Sequence, residues 1–253
     1  MVHVGALPGT PRAVAPVRSL VERAAVEARV LVAGGVDAVM IENMHDRPYL
    51  RQGAGPEIVS TMTAIAVAVR ATVQVPVGVQ ILAGANREAL AVALAARCGF
   101  IRVENFAYAH VADEGLMPEA DAGPLLRYRR MIGADNVAVL ADVKKKHSSH
   151  AITADVDIAE AAHTSEFFGA DGVVITGTAT GRPTAPADVQ AAAAAVSIPV
   201  LVGSGVTPDN IADLWPYADA FIVGSFLKHG GVWSDELDPW RIERLMNAVE
   251  RLR

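Results

Sequence analysis

Residues 200–210 read VLVGSGVTPDN and residues 221–228 read FIVGSFLK. Each is a short apolar run, rich in β-branched side chains, that stops at glycine and serine. Such runs predict strands buried on both faces, as in a parallel sheet covered by helices. Between them, residues 209–215 have a helical pattern. The pair therefore reads as strand, Gly-Ser turn, helix, strand, Gly-Ser turn.

Working back from this pair, the same alternation runs to the first residue. Strands are predicted at VHVGA (2–6), AVMI (38–41), PVGVQ (76–80), FIRV (100–103), VAVLAD (137–142), GVVIT (172–176), PVLVG (199–203) and AFIVG (220–224). Helices are predicted near 17–33, 56–71, 86–97, 124–132, 157–168, 185–196, 209–215 and 238–252. Pro56-Glu57, Asn86, Asp188 and Asp238-Pro239 resemble helix starts. Gly34-Gly35, Gly99 and Gly169 fall where helices stop. Eight strands alternating with eight helices, about thirty residues per unit, predict a single (β/α)8 TIM barrel over residues 1–253. The competing open doubly wound sheet would carry a GxGxxG after its first strand, and none is present. Residues 106–123 form a long connection, read as a mobile cover over bound substrate or as an oligomer contact.

Composition narrows the function. The 253 residues carry a net charge of −6, which argues against a nucleic-acid surface held by phosphate neutralisation. A single cysteine, Cys98, excludes an internal disulfide and a cysteine-cluster zinc site, and reads as a buried thiol. No apolar run reaches membrane-spanning length and no charged-then-apolar leader opens the chain, so a cytoplasmic protein is expected. The chain opens directly on a strand, so a natural start further upstream is also expected.

In barrels, chemistry collects at the C-terminal ends of the strands, and phosphate is often held by the loops after strands 7 and 8. Gly203, Ser204 and Gly205 follow strand 7, and Gly224 and Ser225 follow strand 8. Glycine lets backbone N–H groups approach an anion, and the serine hydroxyls add donors. The alternative is that these glycines only make tight turns. Lys228 either reaches the anion or is solvated.

The other strand ends are polar. His3 lies in strand 1; Glu42, Asn43 and Asp46 follow strand 2; Gln80 ends strand 3. Arg102, Glu104 and Asn105 mark strand 4, and Asp142, Lys144, Lys146 and His147 mark strand 5. Thr176, Gly177 and Thr178 end strand 6, which runs on through Gly181. Alternation puts Arg102 with Glu104, and Asp142 with Lys144, on common faces. Carboxylates and cations gathered at a barrel mouth suit acid–base work on an anionic substrate. Arg102 and Glu104 pairing merely to plug the barrel is the alternative. One lysine of the KKKH run is expected to face the pocket, with a Schiff base conceivable if burial depresses its pKa. His147 and His150 lack a third metal partner, and His110 has no metal or triad context. Neither a metal nor a cofactor is implied.

Together, VHVGALPGTP, GGVDAVMIENMHDRPY, VGVQILAGANREALAVA, FIRVENF, DEGLMPEADAGPLLRYRR, LADVKKKH, ADGVVITGTATG and PVLVGSGVTPDNI…ADAFIVGSFLK resemble the BtpA/SgcQ family, in order and over essentially the whole chain. The resemblance implies a TIM barrel of the phosphate-binding type. The matching positions are Asn43, Asp46, Arg102, Asp142, Lys146, His147, Thr176, Gly177 and the two glycine–serine loops. Gln80 stands where the family often has asparagine, and Glu104-Asn105 also depart from its pattern. The expected function is that of an enzyme on a phosphorylated sugar or nucleotide-like sugar phosphate. Its reaction is expected at the anomeric carbon or as an isomerisation, with Asp142, Glu104, Glu42 and Lys146 as catalytic groups. A homo-oligomer is expected. The alternatives are a non-catalytic biogenesis or regulatory factor and a phosphate-ester hydrolase.

Overall fold

The computed structural model describes residues 1–177 and 183–253. In chain order the elements are β1 (Val2–His3), α1 (Val17–Ala33), β2 (Val39–Glu42), α2 (Pro56–Thr72), β3 (Val77–Gln80), α3 (Asn86–Ala96) and β4 (Phe100–Val103). They continue with β5 (His110–Ala112), β6 (Gly115–Met117), α4 (Ala122–Met131), β7 (Ala138–Val143), β8 (Ser148–Ser149), α5 (Ile158–Phe167) and β9 (Gly172–Ile175). The last are α6 (Pro186–Ala195), β10 (Val200–Val202), α7 (Ile211–Leu214), β11 (Ala220–Phe221) and α8 (Pro239–Glu250). Two compact units contain them. One comprises Met1–Val103 and Leu125–Ala138, the other Glu104–Pro124 and Val139–Arg253.

In the first unit β1 to β4 lie side by side in chain order, each parallel to the next. Parallel neighbours need a crossover, and α1, α2 and α3 supply it. Each helix buries one stripe. Leu20, Ala24, Ala28 and Leu31 do so on α1, and Ile58, Met62, Ile65 and Val69 on α2, the spacing of a single helical face. Small residues let α1 pack on α2 and α2 on α3. The stop of α3 differs from expectation: Arg97, at φ 56°, takes the left-handed cap position, two residues before Gly99. Cys98 is buried there, and that burial pushes its thiol up to about 11.

The second unit has its own parallel strands in the order β7, β9, β10, β11. Val173, Val174, Ile175 and Val202 are fully buried along them. The Asp157 side chain caps α5 by accepting from the Glu160 amide, and Asp238 does the same for α8 through Trp240. The long connection after β4 is not structureless. Its residues form β5 and β6, which pair antiparallel with each other and with β8 in a three-stranded sheet. These strands have two or three residues each, too short for any alternation to show in sequence. Several parallel strands are also shorter than predicted; β1 ends at His3 and β11 at Phe221.

Glycine is required at one strand position. Gly78 in β3 pairs with Phe100 of β4, whose ring lies across it where a Cβ would stand. Gly78→Ala is expected to cost about 1–3 kcal/mol, as overpacking does. The cost should fall in the Gly78→Ala/Phe100→Leu double variant, read as midpoints of denaturant unfolding.

Candidate active site

The strand register of the first unit sets a row of polar side chains. His3 is opposite Glu42, and Glu42 is opposite Gln80. The β3–β4 register, continued one residue past Val79 and Ile101, brings Arg102 beside Gln80. All four are buried, and His3 Nε2 lies 3.6 Å from Glu42 Oε2. The sequence expectation of polar strand ends is met here by four residues in one line.

Asn43 and Asp46, just beyond β2, tie the neighbouring loops. The Leu7 amide donates to Asp46 Oδ1 at 2.8 Å, and Asn43 Nδ2 to Asp46 Oδ2 at 2.8 Å. The Leu82 amide donates to Asn43 Oδ1 at 2.8 Å. The loops after β1, β2 and β3 are thus held by two side chains. Burial raises the Asp46 pKa, while the Leu7 amide and Asn43 pull it down.

The second unit holds a buried charge cluster that the sequence located only in part. Lys145 Nζ donates to Glu104 Oε2 at 2.9 Å and lies 3.9 Å from Glu114 Oε2. Burial alone would lower the lysine's pKa; Glu104, Glu114 and Asp142 together raise it above the ordinary value. Lys145 is therefore an ammonium held among carboxylates: burial pushes its pKa down, as the Schiff-base expectation supposed, but the neighbouring carboxylates outweigh that push. Alternation had placed Lys144 on the Asp142 face, but β7 ends at Val143 and Lys144 turns to φ 46°. That left-handed step breaks the two-residue period and turns Lys145 inward instead. Lys144 Nζ donates to the Thr153 carbonyl at 3.3 Å, and His147, also left-handed at φ 57°, is exposed near Asp113. The Lys146 amide donates to Thr176 Oγ1 at 3.0 Å, so Thr176 fixes the loop after β7.

Beside this cluster lies a cavity of about 20 Å³, walled by Asn105, His110, Asp142, Lys145, His150 and Tyr108 among others. It has room for a water or two. His110 and His150 were not chosen from the sequence. Their rings are 5.6 Å apart, and His150 Nε2 is 3.0 Å from the Lys145 carbonyl. Burial, then Lys145 and His150, lower the His110 pKa to about 4 against the pull of Glu104. His110 Nε2 and Asn105 Oδ1 are buried and without a hydrogen bond among the described residues. Asn105 and Tyr108 also hold φ near 60°, a strained state for such residues. Only the antiparallel pairing of β5 with β6 and β8 brings His110 and Glu114 in, and no local sequence signal announces it.

The two glycine–serine turns leave adjacent, parallel strands β10 and β11 at the same end. The Gly203 amide is already used: it donates to the Ile175 carbonyl at 2.8 Å and belongs to the sheet. The amides of Ser204, Gly205, Gly224 and Ser225 make no hydrogen bond to a described residue. Ser204 Oγ is buried and has no such partner either. Gly205 stands at φ 68°, which favours glycine. Lys228, expected near the anion or in solvent, is buried. Gly177 is described without regular structure; Thr178 and Gly181 lie outside the described residues.

The model of the BtpA family matches residues 1–251. The chain belongs to the BtpA family. It is 45% identical to an uncharacterized mitochondrial protein of Caenorhabditis elegans over 258 residues, covering 100% of this chain and 92% of the relative. It is 38% identical to the photosystem I biogenesis protein BtpA of Synechocystis, covering 98% of this chain and 86% of that protein. Among solved structures, the thiamine phosphate pyrophosphorylase of Pyrococcus furiosus aligns at TM-score 0.60 and 16% identity, covering 90% of each chain. The phosphoribosyl anthranilate isomerase of Thermus thermophilus aligns at TM-score 0.60 and 15% identity, covering 90% of this chain and 95% of that one. A 3-hexulose-6-phosphate synthase aligns at TM-score 0.59 and 18% identity, covering 90% and 94%. At such identities these enzymes of the TIM-barrel type establish the α/β fold alone. No helix among the described residues of this BtpA-family chain is long and apolar enough to cross a membrane.

The neutral His110 gives the cluster a pH signature. Its pKa is lower folded than unfolded, so its contribution is fully present above about 6.5 and is lost as pH falls toward 4. In that window stability is expected to fall by up to about 1.4 kcal/mol per pH unit from this group. His110→Gln should flatten the slope, as read from urea midpoints at pH 7, 6, 5 and 4.5.

Proposed function

We propose that this BtpA-family chain is a single-barrel enzyme acting on a phosphorylated sugar or nucleotide-like sugar phosphate. The observation that carries the reading is the pairing, within the second unit, of two features. One is a buried Lys145–Glu104–Asp142 cluster after β7; the other is a set of unengaged amides and a buried serine hydroxyl after β10 and β11. Parallel strands place these features at the same sheet edge. The phosphate is received by the amides of Ser204, Gly205, Gly224 and Ser225 with the Ser204 hydroxyl; Gly203 contributes the turn but not its N–H. Thiamine phosphate pyrophosphorylase, phosphoribosyl anthranilate isomerase and hexulose-phosphate synthase, which share the fold, all carry phosphate in the names of their compounds.

The reaction we assign is bond exchange at an anomeric carbon. Asp142 takes the proton of the incoming nucleophile as its oxygen or nitrogen bonds to that carbon. The bond to the leaving group breaks with its electron pair, and the Lys145 ammonium, held charged by Glu104, offsets the negative charge that develops. Glu104 is committed to this ion pair, which leaves Asp142 as the proton acceptor. Isomerisation by proton abstraction would use the same groups. Glu42 lines up with His3 and Gln80 in the first unit and takes no part in this step.

A second reading comes from the Synechocystis relative, whose name assigns it to photosystem I biogenesis. A non-catalytic factor would retain the phosphate turns and have no need of Asp142.

Two substitutions test the proposal. Ser204→Ala removes one bond to a charged oxygen and is expected to weaken binding of ribose 5-phosphate about tenfold by calorimetry. Unchanged affinity removes the phosphate assignment. Asp142→Asn is expected to abolish turnover in a screen of sugar phosphates with nucleobase and amine acceptors while binding persists. Wild-type turnover in that variant removes Asp142 from the mechanism.

A further inference from the structure

One open cleft in the first unit is not used by the reading above. It is a cavity of about 270 Å³ beside the loops that Asn43 and Asp46 tie together. Pro11, Tyr49, Leu50, Ile58 and Leu82 give it a mainly apolar wall, and Glu57 supplies a carboxylate. A dry cavity of about 150 Å³ is enough to hold benzene. The space here fits a substituted ring.

Asn43 and Asp46 also line it, bonded to each other and to the Leu7 and Leu82 amides; its remaining polar side chains present acceptors. The Thr10 hydroxyl spends its proton on the Leu7 carbonyl at 2.8 Å, and the Tyr49 hydroxyl spends its own on the Met44 carbonyl at 2.7 Å. Both turn lone pairs, not protons, to any further partner. Glu57 lies in the first turn of α2, with its carboxylate folded over Gly55 where a Cβ would overlap it, and its methylene against Gly9. Gly55 has φ −70°, a value any residue adopts, so backbone conformation does not demand glycine there. The room it leaves is room for the Glu57 carboxylate. Glu57 is exposed, and its carboxylate takes no hydrogen bond from a described residue, so it is open to water and to a ligand alike. It also answers the positive end of α2, so the helix terminus does not draw a second anion.

We propose that this cavity is a ligand site for a compact apolar ring bearing a cationic or N–H-donating end, an amidine or ring amine, received by Glu57. The site is independent of the phosphate reading, since every wall residue belongs to the first unit. The ring lies against Leu50, Ile58 and Leu82, and its N–H groups point to the carboxylate and to the Thr10 and Tyr49 oxygens.

Benzamidine and benzoate have nearly the same shape and opposite charge, which makes them the test. On the full chain, calorimetry is expected to show saturable benzamidine binding with a Kd of about 1 mM or tighter. Benzoate should bind at least tenfold more weakly. Glu57→Gln should weaken benzamidine about tenfold, and Ala54→Leu should abolish its binding by filling the cavity. Ser204→Ala should leave benzamidine unaffected, which separates this outcome from the fate of the phosphate proposal. Equal affinity for benzoate, no saturable benzamidine binding, or unchanged affinity in Glu57→Gln would each overturn it. Thermal unfolding of each variant checks the fold; should Ala54→Leu unfold, Glu57→Gln decides alone.

Discussion

The buried pair of Lys145 and Glu104, 2.9 Å apart, is the interaction around which the second unit is organised. Taking either charge out of water alone costs several kcal/mol, and their mutual attraction repays this only with good geometry and added partners. Here the partners are supplied by elements distant in sequence. Glu104 comes from the end of a strand, Glu114 from the turn between β5 and β6, and Asp142 from β7. The small antiparallel sheet exists where it does because β5 must pair with β6 and β8 to bring Glu114 and His110 against the lysine. Three carboxylates around one ammonium leave the cluster net negative, so its charge favours a group that donates protons or carries positive charge in the transition state. In the proposed reaction, an oxocarbenium-like sugar is such a group.

The same sheet explains the protonation of its neighbours. His110 is buried, and that burial, then the Lys145 ammonium and the neighbouring His150, oppose a positive charge on it. It stays neutral, with one ring nitrogen unengaged toward the described residues. A neutral imidazole beside a fixed ammonium can accept a hydrogen bond without competing for the carboxylates. This division of labour, one base kept neutral and one cation kept charged, follows from burial acting in the same direction on both while the carboxylates outweigh it only at the lysine, which Glu104 bonds directly.

How far the site could be read from sequence depended on whether regular structure governed the residue. His3, Glu42, Gln80 and Arg102 sit on strands, where the two-residue period and parallel register fix the facing side chains, and the expected polar row is present. Asp142, on β7, was legible for the same reason. Lys145 was not, because the period ended one residue earlier at a left-handed Lys144 that no alternation rule anticipates. His110 and Glu114 depend on pairing between three-residue strands, a non-local contact with no local signature. Gly203 shows the opposite error. Its place in a glycine–serine turn suggested an anion-binding amide, yet the strand runs one hydrogen bond further and consumes that N–H. Asn43 and Asp46 were read as substrate ligands; their hydrogen bonds hold three loops, a role that uses the same polar chemistry for assembly.

The phosphate site proposed after β10 and β11 draws on no cation of the KKKH run. Its proposed donors are dipoles: backbone N–H groups and a hydroxyl can stabilise an anion while adding no net charge. The one deeply held lysine of the KKKH run is meanwhile kept for the carboxylate cluster. Amides fixed by a strand end are already oriented, so they require little reorganisation when the anion arrives. Lysines would have to be drawn from solvent and ordered, at an entropic cost of up to about 2 kcal/mol each. The separation of roles therefore has a physical logic. In the proposed reaction, fixed dipoles hold the part of the substrate that does not change, and the charged cluster acts where charge develops.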